Sequence, residues 1–194
     1  MGNSDLDTTQ KKAKRLGIPI VFLDESGFSL SPIRGTTWCE VGKPRVLRET
    51  FSRHSQTGLG FMTMTPEQRR LNFRFTIFSG AINTEDVIFF LTMIHHHYGT
   101  KVMIIWDRLS AHISAQMFFE RKHREWFLFE YLPAYSPELN PVEQCWNQMK
   151  NVIMANFVPF CIEDLVAKTL EAAQVINNDP KLLAAFFHHA KLAL

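Results

Sequence analysis

The stretch Ile18-Pro-Ile-Val-Phe-Leu-Asp24 decides the fold, because an almost wholly apolar run leads directly into an acid. A second stretch of the same kind, Val102-Met-Ile-Ile-Trp-Asp107, follows later in the chain. Short apolar runs bounded by polar residues are typical of strands buried on both faces, as in the middle of a parallel or mixed sheet. If the two strands are parallel neighbours, both aspartates emerge at the same edge of the sheet. The carboxyl ends of such strands are where open α/β sheets bind their ligands.

A third acid, Glu143, lies in the first turn of a predicted helix and has two explanations. In the first, Asn140 caps the helix, Pro141 takes the first helical position and Glu143 reaches back as in a capping box. In the second, Glu143, Asn147 and Lys150 share one helix face by their spacing. A carboxylate, an amide and an ammonium facing one way suit a metal and phosphate site, but they equally suit a solvated face. The local sequence leaves both explanations open.

The two aspartates also have an ordinary explanation, because Asp often ends a strand by bonding its own following backbone. Two central-strand aspartates together with a first-turn glutamate are harder to explain in this way. Burying unpaired carboxylates is costly unless a cation compensates their charge. Mg²⁺ prefers hard oxygen ligands and usually takes a few carboxylates, with water and phosphate completing its shell. The trio therefore suggests a magnesium site for phosphodiester chemistry.

The rest of the chain has the pattern of an α/β domain with a mixed central sheet. Alternating side chains predict a strand hairpin, and apolar residues at helical spacing predict helices between and after the later strands. We predict the hairpin at 58–65 and 72–78, a turn at 25–28, a strand at 127–131, and helices at 84–98, 110–126, 141–156 and 163–177. Ser110 is the expected cap of the second helix.

Length and composition fit one globular domain. The chain has 194 residues, of which 46% are hydrophobic, and its 17 Phe and 4 Trp can fill a sizeable core. The longest apolar stretches are far shorter than the roughly 20 residues that span a bilayer. The spacing of Cys39, Cys145 and Cys161 indicates neither a disulfide frame nor a zinc site. We expect a soluble, intracellular protein with no membrane contact.

The net charge of +2 is low for a protein that holds DNA by electrostatics alone, but the cations are unevenly distributed. One segment carries five of them against two glutamates: Arg34, Lys43, Arg45, Arg48 and Arg53. This segment is the candidate phosphate-contacting surface, although an ordinary solvated loop has the same pattern. His112 would lie near the proposed site, because it follows Asp107 by five positions at a helix start, with either a functional or a packing role.

Four motifs occur in a specific order along the chain. They are Phe22-Leu-Asp-Glu-Ser-Gly-Phe28, Arg34-Gly-Thr-Thr-Trp38, Ile105-Trp-Asp-Arg-Leu-Ser-Ala-His112, and Leu132-Pro-Ala-Tyr-Ser-Pro-Glu-Leu-Asn-Pro-Val-Glu143 followed by Trp146 and Lys150. Together they resemble the catalytic domain of DDE/D transposases of the mariner superfamily, specifically its bacterial insertion-sequence branch. The second and third acids are 143 − 107 = 36 positions apart, which resembles the glutamate-type members.

The resemblance implies a ribonuclease H-like fold and assigns Asp24, Asp107 and Glu143 as catalytic ligands of two Mg²⁺ ions, with Mn²⁺ able to substitute. In such enzymes water nicks the transposon end, and the freed 3′ hydroxyl attacks target DNA. The implied partners are transposon ends and target DNA, with a homodimer as the assembly. We add four residues to the cationic segment as candidate DNA contacts: Arg108, His112, Asn147 and Lys150. Arg108 stands where many eukaryotic members have Asn, so its role is open.

Full-length relatives carry an amino-terminal helix-turn-helix region that reads the inverted repeats, whereas 23 residues precede Asp24. We therefore expect residues 1–17 to be a leader or linker remnant and residues 18–194 to be the catalytic domain. The chain would then be a truncated copy, an isolated domain, or one frame of a split gene whose other half encodes the reader. We expect a bacterial cytoplasmic location, on the nucleoid when acting. Two alternatives are a catalytically silent remnant that binds DNA or oligomerises, and a nuclease that cuts RNA–DNA hybrids.

Overall fold

The structure is a computed structural model, and it describes residues 3–31, 35–36, 38–43, 46, 55–65 and 71–192. Its elements, in chain order, are α1 (Asn3–Leu16), β1 (Ile20–Ser29), β2 (Ser55–Met64), β3 (Asn72–Ser79), α2 (Thr84–Tyr98), β4 (Val102–Trp106), α3 (Ser110–Lys122), β5 (Phe127–Tyr131), a 3₁₀ turn (Pro137–Leu139), α4 (Pro141–Gln148), a π-helical turn (Met149–Ile153), α5 (Ile162–Asn177) and α6 (Pro180–His189).

The strands form one mixed sheet in the order β3-β2-β1-β4-β5. β1, β2 and β3 are antiparallel neighbours, whereas β4 is parallel to β1 and β5 is parallel to β4. β1 is therefore the central strand, which explains why Val21, Phe22 and Leu23 are completely buried. The arrangement confirms the predicted α/β, ribonuclease H-like fold.

The register of β1 against β4 places the two aspartates at the same level of the sheet. Ile20 pairs with Met103 and Phe22 pairs with Ile105, an offset of 103 − 20 = 83 positions. Asp24 and Asp107 are separated by the same 107 − 24 = 83 positions and lie just past the last pair. The expectation of two parallel neighbouring strands is therefore confirmed.

The sheet separates two apolar cores. Alternate residues of β1 enter opposite cores, with Ile20 and Phe22 on the side of α4, α5 and α6 and with Val21 and Leu23 on the side of α2 and α3. This alternation sets which face each later residue of β1 presents. Asp24 continues the series of Phe22, toward α4, and Glu25 continues the series of Leu23, toward α3.

Several predicted elements match the structure, and others need correction. The hairpin, the strand at 127–131 and the helices at 84–98 and 163–177 are present, with Gly99 in a left-handed conformation (φ 62°) ending α2. The predicted turn at 25–28 is wrong, because β1 continues through it to pair Ser29 with Ser55 of β2. Asp24 therefore lies just past the pairing with β4 but within the strand itself.

The two other predicted helices are shorter than expected. α3 ends at Lys122 and is followed by a turn in which the Trp126 N–H donates to the His123 carbonyl. Leu109, not Ser110, is its N-cap residue. The helix predicted at 141–156 is regular only to Gln148 and then widens into the π-helical turn, which leaves Val152 largely exposed.

α1 occupies most of the segment predicted to be a leader or linker remnant. Ala13 is buried in the core, and the Lys12 ammonium lies 2.7 Å from the Glu130 carboxylate on β5. The domain boundary after residue 17 stays a prediction. In the described part of the chain, none of the helices combines the length and the apolar character that a membrane crossing requires.

Candidate active site

Asp24, Asp107 and Glu143 line a single open cavity of about 250 Å³. Asp24 extends from β1 opposite Gly60 of β2, Asp107 directly follows β4, and Glu143 lies in the first turn of α4. Residues far apart in sequence thus meet at the end of the parallel pair β1 and β4. The cavity is completed by Arg108, Asn140 and the segment 132–137.

Asn140 fixes the start of α4 relative to Asp24. Its Oδ1 atom accepts a hydrogen bond from the Val142 N–H at 3.2 Å, and its Nδ2 atom donates to the Leu23 carbonyl at 3.4 Å. The cap is therefore the Asn140 side chain, as predicted. Among the described contacts, the reciprocal bond from the Glu143 side chain that would make a capping box is absent. Glu143 thus lines the cavity without taking part in the cap.

Trp146 seats α4 directly on the sheet. Its ring makes edge-to-face contacts with Phe28, Phe73 and Phe75. The close approach requires a residue without a side chain on β2, because a Cβ atom on Gly60 would lie 2.6 Å from the Trp146 ring. Gly60 is the residue paired with Asp24, so this contact also holds α4 beside the first acid.

The surroundings of Asp24 disfavour the ionised form of its carboxyl group. Its Oδ2 atom is buried and completes no hydrogen bond of good geometry among the described residues, although the Trp146 indole N–H acts on the carboxyl group and lowers its pKa. Burial, followed by the negative charges of Glu143, Glu25 and Asp107, raises its pKa from 3.8 to about 8. A cation bound between these acids would favour the ionised form and reverse the shift.

The Asp107 carboxylate has the opposite character. Its Oδ1 atom lies 2.7 Å from Nδ1 of His112 and accepts from the Leu109 N–H at 3.0 Å. The His112 hydrogen bond lowers the Asp107 pKa, although partial burial opposes the effect. The bond to Leu109 is the turn interaction that is common for Asp at a strand end. Asp107 therefore combines this ordinary local role with a place in the cavity.

Lys150 lies beside Glu143 and Asp24. Burial raises the Glu143 pKa, and the positive charge of Lys150 acts against that rise. The Lys150 ammonium donates to Ser26 Oγ at 2.6 Å and lies 5.0 Å from the centre of the Phe28 ring. Burial lowers the Lys150 pKa, and the charges of Glu143 and Asp24 oppose the shift. The acid cluster thus has a half-buried cation, Lys150, next to it.

The donor chemistry of the trio fits Mg²⁺. All its candidate ligand atoms are carboxylate oxygens, and a cation would favour the ionised form of the buried Asp24 carboxyl group. In the described ranges, no three His, Cys, Asp or Glu side chains already converge closely enough to enclose one ion. The three acids share the wall of an open cavity, which is wide enough for water and a phosphate oxygen to complete a coordination shell.

The structure describes only some of the residues that were predicted to contact DNA. Arg34, Arg45, Arg48 and Arg53 lie outside the described residues, and Lys43 is exposed and pairs with Glu40 at 2.9 Å. Arg108 lines the cavity and lies 5.0 Å from the centre of the Tyr131 ring. Asn147 is exposed on α4.

His112 needs a correction, because its side chain is 0% exposed and therefore hidden from DNA. It lies between Asp107 and Glu25, with Nε2 2.6 Å from Glu25 Oε1. Burial opposes a charge on the ring, but the hydrogen bonds and charges of the two carboxylates prevail and raise the His112 pKa to about 9. Glu25 was not predicted to belong to the site, because a turn was expected at 25–28. In the strand that forms instead, Glu25 faces α3.

A mixed sheet of this order, with three acids at the end of its parallel pair, defines a ribonuclease H-like domain of the nuclease and polynucleotidyl transferase class. The model of the DDE superfamily endonuclease family matches residues 19–165. Because this match covers most of the sequence, the chain belongs to that family.

Solved structures of Mos1 transposase complexes have the same fold. The Mos1 mariner paired end complex with Mn is 17% identical with a TM-score of 0.59, over 95% of this chain and 56% of that one. The corresponding complex with Mg is 17% identical with a TM-score of 0.60, over 95% and 58%. The Mos1 strand transfer complex is 17% identical with a TM-score of 0.55, over 95% and 58%. The chain thus spans a little more than half the length of these proteins. No curated protein matches the sequence.

Proposed function

We propose that this chain is the catalytic domain of a metal-dependent DNA transposase, which nicks transposon ends by hydrolysis and joins the freed 3′ hydroxyl to target DNA. The observation that carries the proposal is the shared cavity of Asp24, Asp107 and Glu143 at the end of the parallel strands. Membership of the endonuclease family and the fold of the Mos1 complexes support it.

Asp24, Asp107 and Glu143 are the proposed ligands of two divalent cations. When bound, such ions activate the attacking oxygen and stabilise the leaving oxygen in phosphodiester displacement. The chain's own contribution is to hold the carboxylates in place. Asn140 fixes the helix start that carries Glu143, and the Leu109 N–H and His112 hold one oxygen of Asp107.

Lys150 and Arg108 are the proposed contacts to the phosphate of the scissile strand. Both are cationic, and they lie beside the acids, Lys150 next to Glu143 and Arg108 in the cavity wall. Asn147 and the cations between positions 34 and 53 are proposed to contact DNA further from the cleaved bond. Phosphate contacts position a protein but carry no sequence information, so we expect cutting with little sequence preference.

The wider setting is also proposed. Recognition of transposon ends would need a helix-turn-helix region in addition to the described domain, encoded with it or separately. A homodimer would bring two ends together. We place the protein in the bacterial insertion-sequence branch, acting on the nucleoid in the cytoplasm.

A plasmid-nicking assay tests the proposal. With Mg²⁺ or Mn²⁺, wild-type protein should convert supercoiled plasmid to open circles, and chelation should stop the reaction. Asp107→Ala should be at least about 100-fold slower, because a metal ligand supplies several kcal/mol of transition-state stabilisation. Glu85→Ala, an exposed acid in the first turn of α2, is the matched control and should keep wild-type activity.

Equal nicking by wild-type protein and Asp107→Ala would exclude the assigned centre. DNA binding in a salt-sensitive shift assay without any cleavage would favour the catalytically silent remnant instead. Preferential cutting of RNA–DNA hybrids would assign the same site to a different substrate.

A further inference from the structure

His112 joins two carboxylates through both of its ring nitrogens. Nδ1 lies 2.7 Å from Asp107 Oδ1, and Nε2 lies 2.6 Å from Glu25 Oε1. The His112 side chain is 0% exposed, and that of Glu25 is 15% exposed. Glu25, His112 and Asp107 therefore form a continuous chain of short hydrogen bonds that passes through the buried His112 ring to the wall of the cavity.

We propose that Glu25 and His112 are a positioning relay, which fixes the orientation of the Asp107 carboxylate and presents its remaining oxygen to a divalent cation. The inference rests on the proposed function, since it assumes that Asp107 is a metal ligand. Groups behind a metal ligand orient it and commonly change metal affinity by about 10- to 100-fold.

The His112 ring has no freedom to turn. It stacks on the Trp106 ring with 4.4 Å between centres and 10° between planes, and Trp106 stacks in turn on Phe129. A rotation of the ring, which is 0% exposed, would break both of its hydrogen bonds. Because the ring is fixed, the Asp107 oxygen that it holds is fixed as well, and the Leu109 N–H holds the same oxygen from the backbone side.

Strand alternation explains why Glu25 takes this position. Asp24 faces α4 and the cavity, whereas Glu25 faces α3, which carries His112. Adjacent acids on the central strand thus have different tasks, one as a proposed ligand and one as the anchor of the relay. The relay also connects β1 with the residue that follows β4, at the point where the pairing of these two strands ends.

A purely structural role for the same contacts would be to join β1 to α3. Such a role predicts a change in thermal stability but no change in metal affinity. Metal binding at fixed pH therefore separates the two roles. We would measure Mn²⁺ affinity by electron paramagnetic resonance of the free ion and record thermal melting of each variant in parallel.

Two variants interrupt the relay at different points. Glu25→Gln is nearly isosteric and leaves the bond between His112 and Asp107 available, so we expect Mn²⁺ affinity to fall by about threefold or more. His112→Leu removes both bonds, and we expect the fall of about 10- to 100-fold that is typical of such groups. His112→Gln, which can donate one bond to Asp107, should recover part of the affinity. His189→Ala, an exposed histidine at the end of α6, is the control and should bind Mn²⁺ like wild type.

The relay is overturned if the folded Glu25→Gln and His112→Leu proteins bind Mn²⁺ as tightly as wild type. Should His112→Leu fail to fold, Glu25→Gln alone decides, since it preserves the packing around Trp106. Failure of wild-type protein itself to bind Mn²⁺ would instead overturn the proposed function, so the two failures are distinguishable.

Discussion

Asp24 is the least favourable ionisable residue at the candidate site. Its buried Oδ2 atom completes no hydrogen bond of good geometry among the described residues, and three further acids raise its pKa against the weak effect of the Trp146 indole N–H. In a metal-free protein this arrangement lowers the stability of the fold, and the local interactions of the described residues do not offset the loss. Functional sites often retain groups that destabilise the fold, because binding or catalysis requires them.

Asp24→Asn should therefore stabilise the metal-free protein at pH 8 but hardly at pH 4. A carboxyl whose pKa is raised from 3.8 to about 8 contributes stability that is complete below pH 3.8 and lost as the pH rises through about 8. Asparagine does not titrate and escapes this loss. The measurement is thermal melting with a chelator at both pH values, where each kcal/mol shifts Tm by about 2 to 4 °C. An equal gain at pH 4 and pH 8 would contradict the explanation.

At the residue scale, the local sequence was sufficient to select Asp24 and Asp107 but not their surroundings. Asp24 and Asp107 could be selected because apolar runs end in them, and the structure places both in one cavity. The link between Glu25 and His112 could not be predicted, because it joins positions 87 residues apart. The local sequence also could not decide whether Glu143 belongs to a helix capping box or to a metal site.

At the scale of elements, α4 depends on a gap in β2. Trp146 packs where Gly58 and Gly60 leave room, and this contact sets the distance between the helix and Asp24. The glycines are thus required for a close approach, since neither has a positive φ angle. A larger side chain at either glycine position should displace α4 and, with it, Glu143.

Gly60→Ala tests this dependence. The added methyl group would overlap the Trp146 ring, and such overpacking typically destabilises a protein by about 1–3 kcal/mol. We expect a lower Tm and at least about tenfold slower nicking, because a small displacement of Glu143 disturbs the site. Gly27→Ala is the matched control, since a Cβ atom there meets nothing within 4 Å. Wild-type nicking by a folded Gly60→Ala protein would show that α4 is not held by this contact.

Element types followed from sequence periodicity more readily than element ends. The hairpin and α2 have regular apolar spacing and clear stop signals, so both were predicted well. β1 is longer than predicted because its second half is stabilised by pairing with β2, a non-local interaction that outweighs the local Ser26-Gly27 turn signal. The π-helical turn after Gln148 also has no recognisable local pattern.

At the scale of the whole molecule, the parallel pairing of β1 and β4 creates the site. The apolar runs predicted two buried strands, but nothing in either run specifies its neighbour in the sheet. The resemblance to a known family implied a ribonuclease H-like fold, and the structure confirms that fold. The end of the parallel pairing between the central strand and β4 gives two carboxylates a common edge, to which α4 adds the third.

Titration of Mn²⁺ into the metal-free protein by calorimetry tests most directly whether the three acids form one metal centre. We would compare wild type with Asp24→Asn, Asp107→Asn and Glu143→Gln, which preserve shape and remove one charge each, and use Glu85→Gln as the control. The account predicts that wild type and the control bind Mn²⁺ alike, and that each of the three site variants loses at least about tenfold in affinity. If any one of the three folded variants bound Mn²⁺ as tightly as wild type, the assignment of that residue as a metal ligand would be contradicted. If all three did so, the proposed metal centre would be refuted.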